Sequence, residues 1–249
     1  MTEITLERDG PVRILTLDAP GRRNALVPAM VTELTAACDE IDADPGAGAV
    51  VVRATGPTFC AGAHRELLAA AATDPASDEN VSALTAVYGA FTRVGRLLPP
   101  VVAAVRGDAV GAGVNLVLAA DLRVVARSAR IVTGFLDLGL HPGGGHFTLM
   151  GRAVGRSATA ALSLFGEAIT GERAAALGLA WEALDADEVE PRAVELAHRA
   201  GREPGLARAM AASFRDQLGP PGVPWPLALE AERGAQMWSL RSTARFRRS

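Results

Sequence analysis

Lysine is absent from this 249-residue chain; all 25 basic side chains are arginine. Without lysine there is no Schiff base, no lysine-held pyridoxal phosphate and no G-x-x-x-x-G-K-[ST] phosphate loop. Cysteine is scarce. Cys38 and Cys60 are too few for a disulfide framework or a zinc site of their own. The four histidines, His64, His141, His146 and His198, lack H-E-x-x-H spacing, and no metal is expected. Aromatics make up 4% and the formal net charge is -3. Base-stacking platforms and a broad basic face are both disfavoured, so nucleic acid is not an expected partner. The most apolar stretch, Leu97 to Ala120, is broken by Pro99, Pro100, Arg106 and Asp108, and no membrane span fits. Residues 1–10 carry Glu3, Glu7 and Asp9 without an apolar core, which predicts no signal peptide. A cytoplasmic, reducing location is the expectation.

What is present is globular: 49% hydrophobic and 21% charged residues, enough for one large domain or one domain with a small appendage. Ile4 to Leu6 and Val12 to Leu17 read as strands joined at Asp9-Gly10. Val27, Val31, Leu34, Cys38 and Ile41 mark a helix over Pro28 to Asp42. Ala49 to Val52, Val101 to Val105 and Leu122 to Ala126 are short buried strands. Thr73 to Asn80 reads as a mobile surface segment. The stripe from Val81 through Leu84, Val87, Phe91, Val94 and Leu98 predicts a second long helix. Val114 to Ala120 is a short apolar helix. From His146 onward the chain reads as mostly helical, with Pro191 opening one helix and Gly201 closing it. Gly219 to Pro226 reads as a linker before a last helix ending at Leu240. Strands alternating with helices predict an α/β fold with a covered sheet, and no repeat at a fixed period stands out.

Two glycine-rich loops carry the chemistry. Gly56-Pro57-Thr58-Phe59-Cys60-Ala61-Gly62-Ala63-His64 follows one buried strand, and Gly107-Asp108-Ala109-Val110-Gly111-Ala112-Gly113-Val114-Asn115 follows another and opens a helix. Small residues let a ligand approach the backbone, and free N–H groups at a helix N-terminus attract negative charge. Side by side, two such loops polarise one carbonyl oxygen. Each loop alone is equally a tight strand-to-helix turn. A Rossmann reading fails because Gly107 to Gly111 misses the G-x-G-x-x-G spacing.

Combined with Asn24-Ala25-Leu26, the pattern becomes specific. Leu17 to Leu26, Phe59 to Ala63, Gly107 to Asp121, and Leu138-Gly139-Leu140 with Pro142-Gly143-Gly144 occur in the order seen in the enoyl-CoA hydratase/isomerase family, the crotonases, which the chain resembles from about residue 3 to 240. The resemblance implies a spiral of ββα units, with a core over residues 1–195 and a helical region over 196–249 for oligomerisation and pocket closure. It implies an acyl-CoA thioester as ligand, with coenzyme A part of the substrate and no separate cofactor. It also implies a homotrimer or hexamer. Backbone N–H groups of Ala63 and Ala112 take the oxyanion role, with Ala25, Ala61, Gly62 and Gly111 around them. Arg22 and Arg23 are candidates for a CoA phosphate, as are Arg245, Arg247 and Arg248 in the tail.

The resemblance also implies departures. A family hydratase sets two glutamates around a water; counting along the motifs, their positions here are Asn115 and Phe135. An amide is no general base, and a phenyl ring moves no proton. Literal enoyl-CoA hydration is therefore doubtful, and isomerisation with it. His141, His146 and His64 are candidate replacements, with Asp137 near the first two; bracing or capping roles explain them equally. Asp108 and Asp121 read as structural, Cys60 as a small buried filler, His198 as part of a solvated face and Tyr88 as core or interface. Phe135 and Leu136 are expected to narrow an apolar acyl pocket. Two readings stay open: an enzyme that stabilises a thioester enolate, and a non-catalytic acyl-CoA binder.

Overall fold

The computed structural model describes residues 2–218 and 225–242. The tail arginines and most of the expected linker lie outside these residues. The chain opens with the hairpin β1 (Ile4–Asp9) and β2 (Val12–Leu17), then α1 (Pro28–Ala43), β3 (Ala49–Ala54) and β4 (Thr58–Cys60). Two helices follow, α2 (Arg65–Thr73) and α3 (Asp78–Val94). Next come β5 (Val101–Val105), β6 (Asp108–Val110), α4 (Ala112–Ala119), β7 (Leu122–Ala126), β8 (Arg130–Val132), α5 (Phe135–Leu138) and α6 (His146–Ser163). The remaining elements are β9 (Ala168–Thr170), α7 (Gly171–Ala176), β10 (Glu182–Leu184), α8 (Val189–Gly201), α9 (Pro204–Gln217) and α10 (Trp225–Ser242).

Two sheets result. The larger has the order β1-β2-β3-β5-β7-β10 and the smaller β4-β6-β8-β9. Beyond the β1–β2 hairpin the larger sheet is parallel. The pairs β3/β4, β5/β6 and β7/β8 each place one strand in either sheet before a helix follows. This is a spiral of ββα units, as expected. Its period is hidden in the sequence because the helical inserts differ in length.

The inner strands of the larger sheet are mainly apolar on both faces, as expected of parallel strands covered on both sides. Val50, Val52, Val101, Ala103 and Val125 enter the main core under α1, α3 and α4. The alternating Val12, Ile14, Ala49, Val51, Val102, Ala104 and Val124 meet Val189, Ala193 and Ala197 of α8. The division expected at residues 195/196 falls inside this continuous helix, so it is not a structural boundary. The helix also starts at Val189 rather than Pro191.

The segment 73–80 is a helix junction. Ser77 caps α3, its hydroxyl accepting from the Asn80 N–H at 3.3 Å, so the helix begins before its apolar stripe. The preceding α2, short and alanine-rich, escaped the sequence reading. Among the described residues no helix is long and apolar enough to cross a membrane.

Candidate active site

The two glycine-rich loops lie side by side because the strands embedded in them, β4 and β6, pair in parallel. Neither strand is visible as such in the sequence; each is three residues long. Gly62 adopts φ +86°, and a Cβ there would stand 2.7 Å from the Val110 carbonyl oxygen. A Cβ at Gly113 would collide with the Cys60 carbonyl. Only glycine at these two positions lets the loops touch.

Ala63 and Ala112 flank this contact. Leu26 N–H donates to Gly62 O at 2.7 Å, and His64 N–H donates to Leu26 O at 3.0 Å. The parallel bridge between Leu26 and Ala63 therefore turns the Ala63 N–H to the opposite side. Ala112 is the first residue of α4, where a backbone N–H has no partner within its own helix. Both residues line one cavity of about 70 Å³, together with Ala61, Gly62, Gly111, Asn115 and Phe135. That is small against the roughly 300 Å³ at the lower end of ordinary ligand pockets.

Buried Asn24 holds the first loop open. Its Oδ1 accepts from Ala19 N–H at 2.8 Å, and its Nδ2 donates to Thr55 O at 2.9 Å and Thr58 O at 2.8 Å. Arg22 is engaged in a bidentate ion pair with Glu3 and donates from Nε to Ala25 O at 2.9 Å, so it braces the turn. Arg23 is exposed at φ +55°, and its backbone O accepts from the cavity-lining Ala61.

None of the three candidate histidines lines the cavity. His64 stands at the N-cap position of α2 without a side-chain capping bond, with Nδ1 4.0 Å from Glu66. His141 has Nδ1 2.6 Å from Pro142 O and meets the Phe147 ring edge-on. His146 is fully buried behind Asn115, with Nδ1 2.8 Å from Asn115 Oδ1 and Nε2 2.9 Å from Ser163 Oγ. Asn115 Nδ2 donates to Gly143 O at 3.1 Å, which leaves Oδ1 as the acceptor. The imidazole proton therefore sits on Nδ1, and Ser163 donates to Nε2. Burial pulls this imidazole down to about 4, so it is neutral near pH 7. The expectation of a histidine base is not met by this arrangement.

Other candidates sort simply. Asp108 Oδ1 accepts from Arg130 N–H at 2.8 Å, tying β6 to β8. Asp121 accepts from Val101 N–H and pairs with Arg215. His198 pairs with Asp9 at the surface. Cys60 is fully buried, and desolvation pushes its thiol up to about 12, which removes nucleophilic character. Leu136 is exposed and does not line the cavity; Phe135 does, its ring 5.0 Å from His146.

Glu232 and Gln236 escaped the sequence reading, which places Tyr88 only in core or interface. Leu229, Glu232, Gln236 and Leu240 form one buried stripe of α10. Glu232 accepts from His146 N–H at 2.9 Å and Phe147 N–H at 3.1 Å, capping α6 from a distant helix. Gln236 lies against Gly143 and lines the cavity. Tyr88 lines it too. The signal was available: two polar residues at i and i+4 in an apolar stripe, and one phenol on the face of Leu84 and Phe91.

The enoyl-CoA hydratase/isomerase family profile matches residues 7–232. The chain belongs to that family. A probable enoyl-CoA hydratase EchA14 of Mycobacterium tuberculosis is 42% identical over 163 residues, which is 66% of this chain and 62% of that protein's length. The match to this relative thus spans less than two thirds of it. The 1,2-epoxyphenylacetyl-CoA isomerase of Escherichia coli is 32% identical, over 78% of this chain and 74% of its own. Among solved structures, an enoyl-CoA hydratase/isomerase from Mycobacterium paratuberculosis superposes with a TM-score of 0.85 at 26% identity, covering 99% of this chain and 96% of that one. The crotonase fold of the family is thereby the fold of this chain.

Proposed function

We propose that the chain binds an acyl-CoA thioester and stabilises its enolate through the Ala63 and Ala112 N–H groups. The observation that supports this reading is that Ala63 and Ala112 line one small, mostly apolar cavity. Charge that develops on the thioester oxygen meets fixed dipoles where water is excluded, which lowers the barrier to enolate formation. Among the described residues, the cavity lining has no carboxylate and no histidine. Asn115 stands where a family hydratase has one glutamate and Phe135 where it has the other, so syn hydration of an enoyl-CoA lacks its acid and base. The reaction is one in which the proton is moved by substrate, solvent or a weakly acidic group rather than by a carboxylate pair. Arg23, exposed beside the first loop, is suited to a CoA phosphate; Arg22 is committed to Glu3.

Non-catalytic acyl-CoA binding is the second reading. It is favoured by Asn115, which is held between His146 and Gly143 and has no freedom to act on substrate.

Self-association is part of the proposal. Leu206, Met210 and Phe214 of α9 are exposed beside a groove floored by Pro100 and Leu122. An apolar face of this kind fits a second copy of the chain; light scattering coupled to size exclusion measures the state.

The test is mass spectrometry of enoyl-, 3-oxoacyl- and malonyl-type CoA thioesters incubated with the protein in heavy water. Enolate chemistry predicts deuterium at the α-carbon, or a product mass, without hydration of the enoyl-CoA. Bound but unlabelled and intact thioesters support the binder. Efficient hydration overturns the non-catalytic reading and the exclusion of syn hydration, and leaves the enolate reading standing.

A further inference from the structure

Tyr88 is 5% exposed, and its hydroxyl is buried with no hydrogen-bond partner among the described residues. A buried phenol in a well-packed protein ordinarily has one. The residue is not packing filler at a distance from the site: it lines the same cavity as Ala63 and Ala112. Its ring is fixed on two sides. Phe91 packs at a centroid distance of 6.0 Å, and the Arg233 guanidinium lies 5.7 Å from its centroid. Arg233 is itself held by Thr85 at 2.8 Å and Glu230 at 3.0 Å. Burial raises the phenol above its ordinary range, so it stays an O–H donor at neutral pH. Thr133, another hydroxyl of the lining, already donates to Leu162 O at 2.7 Å, and Asn115 is engaged on both of its amide atoms. The Tyr88 hydroxyl is thus a lining O–H donor without an acceptor among the described residues.

We propose that Tyr88 is a specificity-determining residue whose hydroxyl donates a hydrogen bond to an oxygen on the acyl chain, selecting short oxygen-substituted acyl groups over plain alkanoyl ones. The proposal rests on the acyl-CoA reading above. An alkanoyl group leaves the hydroxyl buried and unpaired, and a site built to bond a substrate oxygen rejects the analogue that lacks it. The small cavity limits the acyl group to a few non-hydrogen atoms beyond the thioester.

Calorimetric titration of the native protein and of Tyr88→Phe with acetoacetyl-CoA and with butyryl-CoA tests this. These two four-carbon thioesters differ by one oxygen. The native protein is expected to prefer acetoacetyl-CoA by about tenfold or more, and the preference is expected to vanish in Tyr88→Phe. Thermal melting supplies the second readout. Removing an unpaired buried hydroxyl leaves the melting temperature of the free protein equal or higher. A clear fall in melting temperature would make the hydroxyl a structural partner and overturn the proposal. Butyryl-CoA binding with no preference for the oxygenated thioester, or a preference that survives in Tyr88→Phe, overturns it while leaving the acyl-CoA reading standing. Failure of both thioesters to bind overturns that reading and this inference together.

Discussion

Asn115 and His146 are joined by a 2.8 Å hydrogen bond inside the protein. The bond runs from the imidazole to the amide oxygen, while the amide nitrogen reaches Gly143 O. One short side chain at the start of α4 thus locks the glycine turn before α6 and the histidine that begins it. The histidine serves the architecture of the site from behind.

Replacing this hub with an apolar isostere exposes its cost. Asn115→Leu leaves His146 Nδ1 and Gly143 O without their partner and is expected to destabilise the fold by roughly 2–6 kcal/mol, about 1–3 for each unsatisfied group. Urea denaturation measures it. A change under about 0.5 kcal/mol contradicts the network.

Acid should weaken the protein through His146. The unfolded chain takes up a proton near pH 6.5 that the folded protein refuses until about pH 4. Stability from this group is complete above pH 6.5 and falls as pH drops through that window, by roughly 3 kcal/mol at its lower end. Glu232 acts in the opposite sense, because burial raises its carboxyl in the fold. Comparing urea midpoints of native protein and His146→Gln between pH 4 and 6.5 isolates the histidine. The native curve should be the steeper, and parallel curves would refute the assignment.

Glu232 tests the long-range cap. Glu232→Ala removes acceptors for the His146 and Phe147 N–H groups and a negative charge at the N-terminus of α6. A loss of about 1–2 kcal/mol is expected, with faster amide exchange at both positions. Amide exchange identical to that of the native protein would show that α10 does not secure α6.

Gly62→Ala addresses the loop contact. The φ of +86° and the nearby Val110 carbonyl leave no room for a methyl group. The expected outcome is strain of roughly 1–3 kcal/mol and loss of acyl-CoA binding greater than that strain alone produces in other loops. Unaltered binding would dissociate the first loop from the thioester.

Much of this protein is determined by its sequence alone. The alternation of apolar strands with amphipathic helices fixes the fold class, because parallel strands covered on both faces need apolar residues at most positions. Gly62, Gly111 and Gly113 fix the two loops, because backbone conformation and close approach are local demands that only glycine meets. Asn115 and Phe135 carry no carboxylate, which is a matter of residue type. Tertiary structure decided the rest. His64, His141 and His146 cannot be ranked from spacing, since whether an imidazole faces a cavity depends on which helix packs over it. Tyr88 and Glu232 acquired their places only when α10 closed against α3 and α6. Burial and hydrogen-bond satisfaction arise between segments distant in the chain, and no local pattern encodes them.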